Sequence, residues 1–298
     1  MRRALIRSLM ALAPLALAMV APCEAARAQQ TLSAGSRWFT TSDGVRLHYW
    51  EAGRPSAHTI VLVPGWTMPG WIFGPQLQAL SGSYHVVAFD PRGQGESDTP
   101  PTGYEPGRRG QDIAELVAVL GAGPVVLGGW SLGVLDTLAY AHEYGDASIA
   151  GLVLVDNSVG EDPAPAPSHH VHTPHSLAPV TREIEMRRFV EGMFLRPQPE
   201  EYLQLLTDAT LHTPEFASRE LLRYPVPRTY WRDALYATNR PVLYVVRPRF
   251  EAQAENVARH DPLAETVVIN DAGHALFVDD ATRFNALIRD FISRRIWR

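Results

Sequence analysis

The pentapeptide Gly129–Gly133, which reads Gly-Trp-Ser-Leu-Gly, constrains the fold of this chain more than any other feature. It follows an apolar run, Pro124–Leu127, and precedes a helix-like stretch from Leu132 to Tyr144. A serine between two such glycines, placed between a strand and a helix, is typical of a sharp turn that exposes the hydroxyl. Glycines are needed on both sides because the strained turn brings neighbouring backbone close. The helix N-terminus also stabilises negative charge, so the sequence predicts that Ser131 is a nucleophile.

The first 28 residues have the composition of a secretory signal peptide. Three arginines within the first seven residues are followed by an apolar stretch from Leu9 to Val20. Ala26-Arg27-Ala28 then supplies small residues at the two positions that a signal peptidase reads. The apolar stretch is shorter than the ~20 residues that a membrane-spanning helix requires. We therefore expect residues 1–28 to be cleaved and the protein to be exported, periplasmic or extracellular, with an N-terminal anchor as the alternative.

The chain beyond the expected cleavage site is acidic and contains no cysteine. The 298 residues carry a formal net charge of −5, and removal of residues 1–28 takes away four arginines and one glutamate, which leaves −8. An acidic protein has no electrostatic basis for binding nucleic acid or an anionic membrane. Cys23, the only cysteine, leaves with the signal. Disulfides, thiolate metal ligands and a cysteine nucleophile are therefore excluded from the mature chain.

Apolar runs alternate with amphipathic stretches along most of the sequence. Residues 37–50 alternate around Asp43-Gly44 and predict a β-hairpin. Helical patterns separate the later runs, and an amphipathic stretch from Ala281 to about Ile296 closes the chain. This alternation predicts an α/β fold, with a mostly parallel central sheet flanked by helices. The runs that predict its strands are Thr59–Val63, His85–Phe89, Val125–Leu127, Ile149–Val155, Pro241–Val246 and Glu265–Ile269.

The strand–helix alternation breaks between residues 157 and 238. This segment opens with a loop rich in proline and histidine, Glu161–Pro179. We interpret residues 157–238 as a helical cap or lid, and residues 29–156 and 239–298 as the core. A packing extension without substrate contact is the alternative. The helical patterns of the segment are Thr181–Phe194, Pro199–Leu211, Thr213–Tyr224 and Arg228–Thr238.

His274 is the candidate base for Ser131. A serine hydroxyl is a weak nucleophile until a base lies within hydrogen-bonding reach. His274 follows the last predicted strand, so it emerges at the same edge of the sheet as Ser131, and the serine precedes the histidine in the chain. Other histidines lie in the loop of the predicted cap without carboxylates at ligand spacing, so we expect a solvated loop and no metal. These are His169, His170, His172 and His175.

Acyl transfer also needs donors for a negatively charged oxygen, the oxyanion. One candidate is the backbone N–H of Leu132, directly after the nucleophile. The other is the N–H of Trp66, in the loop Pro64–Met68 that follows a predicted strand, where Gly65 lets the backbone turn inward. The side chains of Trp66 and Trp130 are candidate substrate contacts, with core packing as the alternative.

Three motifs together resemble the α/β-hydrolase superfamily. They are the serine pentapeptide at 129–133, Gly-His-Ala-Leu-Phe at 273–277 and Asp-Pro-Arg-Gly-Gln-Gly-Glu-Ser at 90–97. The resemblance covers about residues 40–156 and 241–298. It implies an α/β-hydrolase fold with a helical cap, an acyl-enzyme mechanism and neither metal nor organic cofactor. The 90–97 motif is structural in this family, and a serine nucleophile argues against the family's haloalkane dehalogenases and epoxide hydrolases, which use aspartate.

Two positions depart from the family's pattern. Pro64 takes the place of the histidine that usually opens the oxyanion loop, which leaves the backbone donor in place. Most relatives carry the third catalytic residue, an aspartate, just after the seventh strand, but residues 247–251 contain no aspartate. Some relatives take this acid from the end of the preceding strand, which matches Asp156. Glu251, with its longer side chain, is the alternative partner that would orient His274.

The sequence thus predicts an exported serine hydrolase that cleaves a small-molecule carboxylic ester through Ser131, His274 and Asp156. The same residues could instead act on a lactone, a C–C bond, a peracid or a peptide, as in an aminopeptidase. A non-catalytic binding protein on the same fold is a remote alternative, favoured only by the missing acid after the seventh strand. We expect no nucleic-acid partner and no membrane span after signal cleavage. The identity of the ester and the oligomeric state stay open.

Overall fold

The computed structural model describes residues 34–165 and 181–297. The expected signal peptide and the histidines of residues 169–175 lie outside these ranges. The described residues form eight strands in one sheet. The strands are β1 (Gly35–Thr40), β2 (Arg46–Ala52), β3 (Thr59–Val63), β4 (His85–Asp90), β5 (Val125–Trp130), β6 (Ile149–Val155), β7 (Val242–Val246) and β8 (Ala264–Val268).

The sheet is mostly parallel, as the sequence predicts. Its strand order is β1-β2-β4-β3-β5-β6-β7-β8. β1 and β2 form the predicted antiparallel hairpin, and β2 also runs antiparallel to β4. The remaining neighbours are parallel, which requires a crossover connection between successive strands. The fold is that of an α/β protein with helices on both faces of the sheet.

Helices cover the sheet because its central strands are apolar on both faces. Every residue of β3, β4, β5 and β7 is buried. Successive residues face opposite cores, so Ile60 packs in one apolar cluster and Val61 in the other. The helices are α1 (Gly74–Leu80), α2 (Pro106–Leu120), α3 (Leu132–Tyr144), α4 (Arg182–Glu191), α5 (Glu200–His212), α6 (Glu215–Glu220), α7 (Thr229–Ala237), α8 (Glu251–His260), α9 (Leu276–Asp279) and α10 (Ala281–Arg295).

The segment between β6 and β7 holds α4, α5, α6 and α7, and we call residues 157–238 the helical insertion. Each of the four helices lies inside one of the predicted helical patterns, except that α5 extends one residue beyond its pattern, to His212. Within the described part of the chain, no helix combines the length and apolar character needed to cross a bilayer.

The sequence prediction misses the helical segment Gly70–Leu80, as well as the short helix α9 and a 3₁₀ segment at Pro248–Phe250. A 3₁₀-helix at Gly70–Phe73 runs into α1, in a stretch that also contains Gly74 and Pro75. Glycine and proline have low helix propensity, which hides the pattern. The segment folds because tertiary packing overrides propensity: Ile72 and Leu77 are completely buried against the sheet.

Candidate active site

Ser131 lies in the sharp turn between β5 and α3. Its backbone has φ 54° and ψ −120°, a conformation that non-glycine residues rarely adopt. A Cβ built on Gly129 would lie 2.2 Å from the carbonyl oxygen of Gly133, and one built on Gly133 would lie 2.2 Å from that of Val63. Both glycines of the pentapeptide are therefore required by space, and together they let the chain turn within one residue.

His274 and Asp156 form a hydrogen-bonded chain with Ser131. The Nε2 atom of His274 lies 2.9 Å from the Ser131 Oγ, and its Nδ1 atom lies 2.6 Å from the Asp156 Oδ2. A carboxylate accepts only, so Nδ1 carries the hydrogen and Nε2 is free to accept from the serine hydroxyl. The structure thus brings together all three residues that the sequence singled out for catalysis.

These residues meet because their strands end at one edge of the sheet. Ser131 follows β5, Asp156 follows β6, and His274 lies in the loop after β8. Carboxyl ends of parallel strands share an edge, which is where α/β folds place their sites. Asp156 itself has a positive φ of 49°, and its N–H bonds to the Val245 carbonyl at 2.9 Å. The strained backbone turns its carboxylate toward the imidazole.

Arg247 holds the Asp156 carboxylate from the opposite side. Its backbone N–H donates to Oδ1 at 2.9 Å, and its Nε donates to Oδ2 at 2.6 Å. Burial raises the pKa of the Asp156 carboxyl, but the hydrogen bond from His274 and the charges of His274 and Arg247 outweigh it. The pKa consequently lies below its ordinary value, which keeps Asp156 ionised. Sequence reasoning missed this arginine, although it directly follows β7, where relatives carry the acid.

Glu251, the alternative acid, is exposed at the start of α8. The His274 Nδ1 lies 2.6 Å from the Asp156 Oδ2 and 3.4 Å from the Arg247 Nη2. The geometry therefore favours Asp156 as the partner of the imidazole.

The loop 64–68 lies directly beside the nucleophile. A Cβ built on Gly65 would lie 3.0 Å from the Ser131 Cβ. Thr67 has a positive φ of 58°, so the non-glycine residues with positive φ in the described chain, Thr67, Ser131 and Asp156, all belong to this region. Clustered backbone strain of this kind is typical of functional sites. The candidate donor Trp66 thus lies in the loop beside Ser131, and the candidate donor Leu132 is the first residue of the helix that follows Ser131.

The two candidate tryptophans have different surroundings. The indole of Trp66 reaches the helical insertion, where its Nε1 donates to the Ser218 carbonyl at 2.7 Å and its ring meets that of Phe189 at 5.1 Å. Trp130 is 1% exposed, and its Nε1 donates to the His274 carbonyl at 2.8 Å. Trp130 thus supports the loop that carries the imidazole, and its contact with substrate stays a prediction.

A second hydrogen-bonded serine, histidine and aspartate lie on β1, β2 and β4, at one end of the strand order. His48 Nε2 is 2.8 Å from the Ser36 Oγ, and His48 Nδ1 is 2.7 Å from the Asp90 Oδ2. Ser36 lies within β1 rather than at a helix N-terminus. Asp90 also accepts from the backbone N–H groups of Gly70 and Glu96. These hydrogen bonds tie the hairpin to the 90–97 motif.

The 90–97 motif is built into the core. Arg92 is fully buried, donates to Asp112 at 2.6 Å and to Asp43 at 3.1 Å, and its pKa is raised by these two carboxylates against the effect of burial. Gln94 points from the same loop to the backbone of residues 65–68. Within residues 34–165 and 181–297, no three His, Cys, Asp or Glu side chains are grouped to hold a metal ion.

Two curated proteins are similar to part of this chain. A 2-(acetamidomethylene)succinate hydrolase of Mesorhizobium japonicum is 37% identical over 92 residues, which are 31% of this chain and 33% of that protein. The human serine hydrolase BPHL is 38% identical over 109 residues, 34% of this chain and 36% of that protein. The chain thus matches about a third of the length of each.

The similarity in three dimensions is more extensive. The crystal structure of an esterase from Rhodococcus sp. ECU1013 superimposes with a TM-score of 0.74 at 25% identity, covering 87% of this chain and 99% of that chain. The family model for the alpha/beta hydrolase family matches residues 60–287, which span β3 to α10 and include all three members of the Ser131–His274–Asp156 chain. With its fold, its strand order and this match in agreement, the chain belongs to the alpha/beta hydrolase family.

Proposed function

We propose that this protein is an exported serine hydrolase that cleaves carboxylic esters. The observation that carries the proposal is the contact of Ser131 Oγ with His274 Nε2 at 2.9 Å, while Asp156 occupies the other ring nitrogen. A hydroxyl that meets the free nitrogen of an imidazole oriented in this way is the arrangement that activates serine.

The reaction follows from these positions. The Ser131 oxygen attacks the ester carbonyl as His274 takes its proton, and His274 then gives that proton to the departing alcohol. His274 then takes a proton from a water molecule, which attacks the acyl-enzyme, and returns that proton to the Ser131 oxygen as the carboxylic acid leaves. Asp156 keeps the imidazole in position and stabilises its charged form in both halves of the reaction.

The backbone N–H groups of Trp66 and Leu132 are the proposed oxyanion donors. Leu132 opens α3 immediately after the nucleophile, and a Cβ built on Gly65 would lie 3.0 Å from the Ser131 Cβ, so the loop that carries Trp66 passes beside Ser131. Both tetrahedral intermediates place their negative oxygen between these groups. Such preorganised donors are usually the largest single contribution to acyl-transfer catalysis.

The contacts of the helical insertion with Trp66 support its assignment as a cap. Its residues Phe189 and Ser218 contact the side chain of Trp66, so α4 and α6 reach the loop beside the nucleophile. Residues of the insertion are therefore candidates for the walls of the substrate pocket. An ester is favoured over an amide because an alkoxide departs with less assistance than an amine, and a lactone, C–C bond, peracid or peptide would use the same residues.

Covalent labelling tests the proposal. Treatment of the purified protein with a fluorophosphonate, followed by intact-mass measurement, should add a single phosphonyl group. Ser131→Ala should abolish the adduct and the hydrolysis of p-nitrophenyl esters. Ser36→Ala is the matched control, because Ser36 also meets a histidine–aspartate pair but lies within a strand.

Absence of an adduct on the folded wild-type protein would overturn the hydrolase assignment and favour a binding protein on this fold. An adduct without ester hydrolysis would show that Ser131 is reactive but that the substrate is another acyl compound. Export is tested separately, since a mature N-terminus at residue 29 in the periplasm or medium supports it, and an uncleaved cytosolic chain contradicts it.

A further inference from the structure

We propose that Gln94 is a positioning residue that fixes the oxyanion loop, residues 65–68, in its active orientation. The proposal rests on the proposed function and concerns a residue to which the mechanism above gives no role. The Gln94 side chain is 1% exposed and makes three hydrogen bonds to this loop. Its Oε1 accepts from the Thr67 N–H at 2.9 Å, and its Nε2 donates to the carbonyls of Gly65 and Met68, each at 3.1 Å.

The first of these carbonyls belongs to the peptide unit that carries the proposed donor. The Gly65 carbonyl and the Trp66 N–H are parts of one planar trans peptide and point in opposite directions. Once Gln94 holds the carbonyl on its own side, the N–H must project away from Gln94, and Ser131 lies beside this peptide, 3.0 Å from a Cβ built on Gly65. A rotation of this peptide would turn the carbonyl oxygen toward the substrate oxyanion and remove the donor.

The next peptide unit, between Trp66 and Thr67, is held by the same side chain. Its N–H bonds to the Gln94 Oε1, while its carbonyl accepts from the Thr67 hydroxyl at 2.7 Å. Gln94 thus contacts the peptides on both sides of Trp66, and neither can rotate without breaking a buried hydrogen bond. An unpaired buried amide is costly, which makes the two bonds an effective restraint.

The loop needs such a restraint because its own backbone is strained. Thr67 is β-branched, completely buried and has a φ of 58°, a region that such residues avoid. The turn within the loop supplies one bond of its own, from the Met68 N–H to the Gly65 carbonyl at 3.1 Å. Further hydrogen bonds to the backbone of this loop come from Gln94 and the Thr67 hydroxyl.

Only an amide side chain meets this environment without introducing a charge. The three loop groups are one N–H and two carbonyls, so the side chain must accept once and donate twice. Gln94 is itself rigidly placed, because its N–H bonds to the Pro91 carbonyl at 2.9 Å and its carbonyl accepts from the Ser97 N–H at 3.1 Å. Supporting a reactive group through a locked neighbour is how sites keep their geometry.

A residue that aims an oxyanion donor acts on the transition state rather than on substrate binding. Its loss should therefore lower kcat and leave KM nearly unchanged. Gln94→Met keeps the size of the side chain but removes the donors and the acceptor. We expect kcat for p-nitrophenyl esters to fall by about 10- to 100-fold, below the loss of about 100- to 1,000-fold seen when a donor is removed outright. The rate of fluorophosphonate labelling at Ser131 should fall in parallel.

Gln253→Met is the matched control for a purely structural effect. Gln253 is 2% exposed, accepts from the Val159 N–H at 3.3 Å and donates to the Pro163 carbonyl at 2.8 Å, so it is an equally buried bridging amide away from the oxyanion loop. Both variants should lose thermal stability to a similar degree, but only Gln94→Met should lose kcat. Equal kcat losses in the two variants, or a loss confined to KM, would overturn the proposal.

Gln94→Glu supplies a second readout that a merely structural role would not move. When protonated, the introduced carboxyl donates to a carbonyl and accepts from the Thr67 N–H. When ionised, it only accepts and repels the Gly65 and Met68 carbonyls. The ratio of kcat for Gln94→Glu to kcat for wild type should therefore fall as the pH rises, whereas the corresponding ratio for Gln94→Met stays flat. Dividing by wild type removes the pH dependence that the enzymes share.

The two proposals fail in different ways. Wild-type protein that labels and turns over, together with a Gln94→Met variant whose kcat stays within about threefold of wild type, overturns the role of Gln94 and leaves the hydrolase assignment intact. Wild-type protein that takes no phosphonyl group overturns both.

Discussion

Arg247 donates from its Nε to the Asp156 Oδ2 over 2.6 Å, and the same oxygen lies 2.6 Å from the Nδ1 of His274. The Asp156 side chain is completely buried, while Arg247 remains 29% exposed. The guanidinium also lies 3.4 Å from the imidazole through its Nη2. A cation thus occupies the position after β7 where relatives carry their acid, and it compensates the charge of the acid supplied by β6.

Asp156→Asn should lower kcat by about 10³- to 10⁴-fold, because an amide holds the imidazole in the wrong tautomer for accepting the serine proton. Glu251→Gln, which changes an exposed carboxylate in the same way, should leave kcat within about threefold. Steady-state hydrolysis of a p-nitrophenyl ester by both variants checks this. A larger loss from Glu251→Gln than from Asp156→Asn would transfer the role to Glu251.

Arg247→Met should destabilise the protein and shift its acid unfolding to higher pH. The pKa of Asp156 is lowered in the folded state, so its ionised form contributes stability above the ordinary carboxyl pKa, and that contribution is lost as the pH falls through the folded value. Removal of Arg247 raises the pKa of Asp156 in the folded state. The stabilising contribution of the ionised carboxylate is then lost at a higher pH than in wild type. We expect the free energy of unfolding at pH 7 to fall by about 2 kcal/mol, because one partner of a buried ion pair is removed.

Urea unfolding at several pH values measures this effect. Arg46→Met is the control, since Arg46 pairs with Asp98 at 3.8 Å with both side chains largely exposed. Such surface pairs contribute about 0–1 kcal/mol. Identical acid-unfolding midpoints for Arg247→Met and wild type would contradict the electrostatic role of Arg247.

Alanine at Gly133 in α3 and at Gly65 in the oxyanion loop should separate folding from catalysis. Gly133→Ala places a Cβ 2.2 Å from the Val63 carbonyl oxygen, and backbone there has no room to move. A loss of about 3 kcal/mol or more is expected, visible as a lower Tm or insoluble protein. Gly65→Ala places its Cβ 3.0 Å from the Ser131 Cβ, which a small shift relieves.

Gly65→Ala should therefore stay folded and lose about tenfold in kcat, because the shift moves the Trp66 N–H relative to Ser131. Thermal melts and steady-state kinetics on the two variants distinguish the effects. A fully active Gly65→Ala variant would argue against the placement of the oxyanion donor in this loop.

Trp66→Phe should loosen the contact between the oxyanion loop and the helical insertion. The variant keeps the ring contact with Phe189 but leaves the Ser218 carbonyl without its 2.7 Å donor, at a cost of about 1 kcal/mol. Amide hydrogen exchange in α6 should accelerate. Trp231→Phe is the matched control, since the buried Trp231 Nε1 has no hydrogen-bond partner among the described residues. Equal exchange in α6 for both variants would contradict the contact.

Local patterns predicted most of the fold. The strands β3 to β8 and the helices α4 to α7 match the apolar runs and amphipathic stretches closely, because periodicity and burial act over a few neighbouring residues. The longest helical segment without a predicted pattern is Gly70–Leu80, whose glycines and proline oppose a helix until tertiary packing imposes it. Export and the boundaries of the cap stay predictions.

The sequence by itself determined the turn around Ser131 and the edge of the sheet at which His274 emerges, since both follow from local chemistry and from the direction of parallel strands. Only the tertiary structure distinguishes the two candidate acids by geometry, since it places the Asp156 carboxylate 2.6 Å from the imidazole and leaves Glu251 exposed at the start of α8. It also revealed the contacts of Arg247 with that carboxylate and of Gln94 with the oxyanion loop. These contacts join residues far apart in the chain, and hydrogen-bond geometry between separate elements leaves no periodic signal in a sequence.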